Sequence, residues 1–231
     1  MRIAVFGANG PTGRLLTARA LAAGHRVVAA TRHPDTFPLT HERLEVDATD
    51  VYDAEAVAST VDGVDAVLST LGVPFTRRPI TVYSVGTEHI VAAMHRHGVK
   101  RLVVVSSSAT YPHHHAEGGF LLNRVLQPMV TRTIGRTTYA DMRRMEELVR
   151  ASDLSWTIIR PSGLFDRSEV SDYHLHDDQA PGVFTARIDL AAAMLAQLES
   201  DATVGKAVAV TTSEDTPTLW QMLRAEAGSK D

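Results

Sequence analysis

Gly7, Gly10 and Gly13 recur at every third position of the run Gly7-Ala8-Asn9-Gly10-Pro11-Thr12-Gly13. The run follows the apolar segment Ile3–Phe6 and opens a helical pattern over Thr12–Ala23. Glycines so spaced between a strand and a helix let the backbone turn tightly, approach a pyrophosphate and pack the helix on the sheet. The helix start adds unpaired N–H groups and the positive end of its dipole. The chemistry expected is diphosphate binding, with a dinucleotide as the ligand and with Asn9, Pro11 and Thr12 completing the contact surface. A structural turn without a ligand is the alternative reading.

Arg32 stands 19 positions beyond Gly13, just past the apolar run Arg26–Ala30. An NAD site usually carries an acid at about 20 residues, where it bonds the ribose hydroxyls. A guanidinium there would instead meet a 2′-phosphate with paired hydrogen bonds. NADP (as NADPH) is therefore expected over NAD, the alternative being a solvated surface arginine. Arg14 either adds charge at the same phosphate or covers the helix.

Metal chemistry is not expected. There are no cysteines, which excludes thiolate ligands, disulfides and a cysteine nucleophile, and fits a reducing compartment. His113-His114-His115 lies in a loop, where adjacent side chains diverge. His174 and His176 with Asp177 share no recognisable spacing with a further ligand. His95 and His97 close a helix, where cations suit the dipole. The 231 residues carry 23 Lys+Arg against 27 Asp+Glu, a net charge of −4 without a basic run. Nucleic-acid binding needs a concentrated positive face and is not expected. No segment reaches the ~20 apolar residues of a membrane span, so a soluble cytoplasmic protein acting on a small molecule is expected.

These residues need a scaffold, and the chain alternates accordingly. Strands are expected at Ile3–Phe6, Arg26–Ala30, Leu44–Val46, Ala66–Leu68, Leu102–Val105, Trp156–Ile159 and Ala207–Val210. Helices are expected at Thr12–Ala23, Asp53–Ser59, Ile80–His97, Thr138–Ala151 and Leu190–Leu198. Several strands are apolar throughout, as parallel strands covered on both faces are. The fold class is α/β, a Rossmann-type, doubly wound parallel sheet in three α/β/α layers. One domain over 1–231 is expected, with a small C-terminal substrate lobe and substrate-side elements mainly in 109–137 and 162–186. Gly24 and Gly98 fit helix ends, and Asp62-Gly63 marks a turn. Tyr111–Gly119 and Arg167–Pro181 read as irregular loops. Phe120–Val130 reads as an apolar lid helix or a dimer face, leaving monomer and homodimer open. Thr138–Arg150 reads as a helix with a solvated charged face, and Pro217-Thr218 opens a short terminal helix.

Taken together, Gly7–Gly13, Asp47, Ser69-Thr70-Leu71-Gly72, Ser106–Thr110 and Arg160-Pro161 resemble the short-chain dehydrogenase/reductase superfamily. The resemblance is to its atypical branch of small NAD(P)H-binding proteins, which includes biliverdin/flavin reductases and NmrA-like proteins, and it spans about residues 1–200. It implies that Asp47 and Ala48 lie against the adenine. Thr70, Leu71 and Gly72 would line the path to the nicotinamide ribose, with Ser106 and Pro161 bordering the nicotinamide.

Superfamily members with a full catalytic set use a serine and Tyr-x-x-x-Lys, whose lysine lowers the tyrosine pKa for proton transfer. By that resemblance Ser108 is the serine, and Tyr139 and Arg143 hold the other two places. Arginine replaces lysine, and its planar fork is no substitute for a compact ammonium. The function implied is an NADP-preferring reductase of a small conjugated acceptor such as a quinone or flavin. A non-enzymatic NADP-binding sensor and an NAD-dependent epimerase or isomerase are the alternatives.

Overall fold

The computed structural model describes residues 1–76, 78–111, 124, 127–133, 135–179, 181–218 and 221. Strand β1 (Arg2–Phe6) leads through the glycine turn into helix α1 (Pro11–Ala22). Strands β2 (Arg26–Thr31) and β3 (Leu44–Ala48), helix α2 (Ala54–Val61) and strand β4 (Ala66–Ser69) follow. Helix α3 (Val82–His97) leads to β5 (Arg101–Val105), and a 3-10 turn spans Ser108–Thr110. Then come α4 (Gln127–Arg132), α5 (Arg136–Ala151), β6 (Ser155–Pro161), β7 (Gly163–Phe165) and β8 (Tyr173–Asp177). Strand β9 (Phe184–Ala186), helix α6 (Arg187–Ala196) and strand β10 (Lys206–Thr212) complete the described elements.

Eight strands form one sheet in the order β3-β2-β1-β4-β5-β6-β10-β8, and only β8 runs antiparallel to its neighbour. Alternation along each strand supplies both faces. Ala4 and Phe6 join Ile90, Met94, Leu102 and Ile158 in the core beneath α2, α3 and α5. Ile3 and Val5 join Leu16, Leu68, Leu190 and Met194 beneath α1 and α6. The fold is the doubly wound Rossmann type, helices on both faces of a mostly parallel sheet. Its strand order reverses between β1 and β4, and a ligand crevice opens beyond the carboxyl ends of strands at such a point.

The expected helix ends hold: Gly24 and Gly98 adopt φ of 92° and 72°. Three corrections concern the substrate side and its flank. The stretch Arg167–Pro181 is not wholly irregular, since Tyr173–Asp177 pairs with β10 as the sheet's outer strand. Its sequence, Tyr-His-Leu-His-Asp, is too polar to announce a strand, because one edge faces no neighbour. Gly163–Phe165 and Phe184–Ala186, unmarked in the sequence, pair in parallel as a two-stranded annex. Asp47 and Ala48 end β3 instead of following it, because β2 pairs with them through Ala30 and Thr31. His113–His115, most of the Phe120–Val130 segment and most of the terminal helix lie outside the described residues.

Candidate functional site

The glycine run is required by the geometry around it. Gly7 has φ of 73°, and a Cβ there would come within 2.6 Å of the Thr70 carbonyl oxygen. A Cβ on Gly13 would fall 2.2 Å from the Gly7 carbonyl oxygen and 2.8 Å from Ala8. Gly10 is the N-cap of α1, donates to the Gly7 carbonyl at 3.0 Å and contributes no side chain. Pro11 occupies the first turn, and no side chain caps the helix. The first-turn amides, Thr12 and Gly13 among them, are therefore left without a side-chain cap.

Thr70 holds β4 against this turn: its hydroxyl donates to the carbonyls of Phe6 (3.0 Å) and Gly7 (3.2 Å). Leu71 lies close to Gly86 of α3, where a Cβ would come within 3.1 Å of the Leu71 side chain. Gly72 is different, since its nearest neighbour to such a Cβ is 3.9 Å away. Asn9 is held between Thr36 (3.2 Å) and Arg14, whose Nε donates to its side-chain oxygen at 3.0 Å. Arg14 thus braces the turn.

Arg32 is exposed just beyond β2, with no hydrogen bond or ion pair to any described residue. Asp47 is engaged: Thr60 donates to its carboxylate at 2.6 Å, and Thr49 lies 2.7 Å from the same hydroxyl. Ala48, in register with Thr31, is exposed beside it.

The Ser106 amide donates to the Ile159 carbonyl at 2.8 Å, extending the ladder of β5 and β6. Its hydroxyl lies 3.1 Å from that of Thr110. Ser107 caps the 3-10 turn by accepting from the Ala109 amide at 3.2 Å. Ser108 is 7% exposed, and its hydroxyl makes no bond to a described residue. Pro161 ends β6 opposite Val210. Tyr139 is buried in the core beneath α5, its ring 5.9 Å from that of Phe75. Arg143 Nη1 donates to the Thr110 carbonyl at 3.0 Å.

The charged face of α5 is exposed at Arg144, Glu147 and Arg150, as expected, but Glu146 is the exception. Glu146 is fully buried and receives Arg160 through two bonds, Nε at 2.9 Å and Nη2 at 2.5 Å. Arg160, 4% exposed, also reaches Asp178 at 2.5 Å and lies beneath the Tyr111 ring at 4.7 Å. Burial by itself would lower the Arg160 pKa, but bonds and charge from Glu146 and Asp178 raise it above its ordinary value. A cation inside the run Trp156–Ile159–Arg160 was the available signal, since a buried charge requires a partner. Asp141 was missed too. It is fully buried and accepts from the Tyr83 and Ser84 amides at 2.9 and 3.3 Å. Among the described residues no three metal-capable side chains converge.

The family model described as NAD(P)H-binding matches residues 7–201. The chain belongs to that family. This NAD(P)H-binding protein is 42% identical over 108 residues to an uncharacterised Mycobacterium tuberculosis protein, a match covering 46% of this chain and 12% of that one. It is 33% identical over 119 residues to a 3β-hydroxysteroid dehydrogenase/Δ5→4-isomerase of the same species, covering 47% and 32%. The chain therefore spans only a minor part of these relatives. Among solved structures, a short-chain dehydrogenase/reductase of Veillonella parvula in complex with NADP has a TM-score of 0.77 at 19% identity, covering 94% of this chain and 99% of that one. An anaerobillin reductase of Escherichia coli has a TM-score of 0.74 at 20% identity, covering 94% and 100%. These two share its fold.

Proposed function

We propose that this NAD(P)H-binding protein is an NADP-preferring reductase of a small conjugated acceptor such as a quinone or flavin. The turn fits the dinucleotide: Gly7 and Gly13 let the backbone close tightly where a Cβ would strike Thr70, Gly7 and Ala8, and the start of α1 is uncapped. When bound, the dinucleotide supplies the hydride. The protein's part is binding and orientation. The first-turn amides of α1 hold the diphosphate, and Arg32 holds the 2′-phosphate. Asp47 and Ala48 border the adenine, and Thr70, Leu71 and Gly72 line the path inward. Ser106 and Pro161 bound the inner end, where the Ser108 hydroxyl bonds an acceptor oxygen. An acceptor that takes hydride into a conjugated system needs little acid from the protein, which suits a site with arginine at the lysine position.

The observation that carries the reading is Arg32, an exposed guanidinium without an ion-pair partner among described residues, where an NAD site places its acid. Arg32→Glu is expected to weaken NADPH binding at least about tenfold, the loss of one charge-assisted contact, while NADH binding holds or tightens. Calorimetry with both cofactors checks it, and an unchanged NADPH affinity removes the assignment. A second reading, an NADP-binding sensor, is favoured by the commitment of Arg143 to a backbone carbonyl. NADPH oxidation over a panel of quinones and flavins separates the two, since a sensor binds without turnover.

A further inference from the structure

Arg143 occupies the place in which the resemblance puts the lysine that polarises Tyr139. Its guanidinium instead reaches the Thr110 carbonyl, the last residue of the 3-10 turn that carries Ser108. Among the described residues every other tie in that turn is neutral. Thr110 N–H donates to the Ser107 carbonyl at 3.1 Å, and Ala109 N–H donates to the Ser107 hydroxyl at 3.2 Å. The Thr110 hydroxyl lies 3.1 Å from that of Ser106 and 3.6 Å from the Met142 sulfur. Arg143 therefore supplies the charge-assisted bond, roughly twice as strong as a neutral one, and anchors the turn to α5. Ser108 is the residue in the turn whose hydroxyl no described residue engages.

We propose that Arg143 is a positioning residue for Ser108. It acts through the Thr110 backbone, fixing the direction in which the Ser108 hydroxyl is presented, and it does not serve as the electrostatic partner of Tyr139. The inference rests on the reductase reading for its catalytic consequence, whereas the clamp itself is independent of turnover. A misplacement of about 1 Å in a positioned group costs up to about 100-fold in rate, so releasing the clamp has a large effect.

The test is a pair of double-mutant cycles on the full chain with NADPH and a quinone acceptor. Arg143→Met is expected to lower kcat/KM for the acceptor by about 10- to 100-fold, with NADPH affinity within about twofold and the shape of the pH profile unchanged. Combined with Ser108→Ala it should cost no more than Ser108→Ala alone, because both remove the same presented hydroxyl. Combined with Tyr139→Phe its effect should simply add. Additivity with Ser108→Ala, coupling to Tyr139→Phe, a shifted pH profile or NADPH affinity reduced tenfold would each overturn the proposal. Arg143→Gln serves if the methionine variant does not fold. Native-state hydrogen exchange decides the clamp without turnover: the Ala109 and Thr110 amides should exchange faster in the variant while α5 stays protected. Unchanged exchange overturns the clamp. A wild-type protein inactive on every acceptor overturns the reductase reading instead, and leaves the exchange result to judge Arg143.

Discussion

At the scale of single residues, Gly13 and Gly72 separate glycines that geometry demands from those it tolerates. A methyl on Gly13 meets only backbone, at 2.2 Å from the Gly7 oxygen and 2.8 Å from Ala8, and backbone cannot rotate aside. Gly13→Ala must lift α1 off the turn and displace its open amides. A stability loss of about 1–3 kcal/mol is expected, typical of overpacking, with NADPH binding weakened beyond it. Gly72→Ala meets no protein atom closer than 3.9 Å and should leave the melting temperature of the free protein near wild type. Thermal denaturation with and without NADPH checks the pair. Equal loss of stability in the free protein from the two substitutions would show that the close approach at Gly13 does not demand a glycine.

At the scale of elements, α5 anchors the second half of the fold through acids that cap and pair. Asp141 accepts from the first amides of α3, from the Ser84 hydroxyl at 2.5 Å and from Arg144 at 2.9 Å. It does for α3 what Thr81 does not, since the Thr81 side chain makes no capping bond. Asp141→Ala strands two N–H groups and is expected to cost about 1–3 kcal/mol, read as a lower urea midpoint with unchanged slope. Such long-range caps explain what the sequence concealed. Apolar runs revealed seven of the strands because parallel strands are covered on both faces. The glycine turn was equally legible, since φ of 73° at Gly7 and the close approach at Gly13 leave few other residue types. The buried acids were not, because Asp141 and Glu146 sit among exposed charges on α5 and only tertiary partners distinguish them. Arg143 was legible as a cation one helical turn from Tyr139, but its target, a carbonyl 33 positions away, was not.

At the scale of the whole molecule, the sheet's two ends divide the work. The carboxyl ends carry the glycine turn, Thr70 and Ser108, the residues of the proposed ligand site. The amino ends are laced by polar contacts, including the ion pair of Arg2 with Glu45 at 2.9 Å and the approaches of His97 to Asp62 at 3.1 Å and of His95 to Asp153 at 2.6 Å. Asp153 follows α5, so its bond to His95 joins the C-terminal turn of α3 to the approach to β6. The hydrogen bond from His95, then the charges of Lys100 and His95, hold the Asp153 carboxyl below its ordinary pKa. A carboxyl whose pKa is depressed on folding contributes stability above its unfolded value of about 3.9, and that contribution is lost as pH falls through the lower folded value. Melting temperature plotted against pH should therefore fall in acid more steeply for wild type than for Asp153→Asn, the two curves differing at pH 6 and converging only once pH has fallen below the depressed folded value. Salt at about 1 M should narrow the pH 6 gap, since both partners are exposed and screening acts fully there. Parallel curves across the acid range would mean that the pair does not couple α3 to β6. NADPH affinity should not follow Asp153, because the bond lies at the end of the sheet opposite the glycine turn.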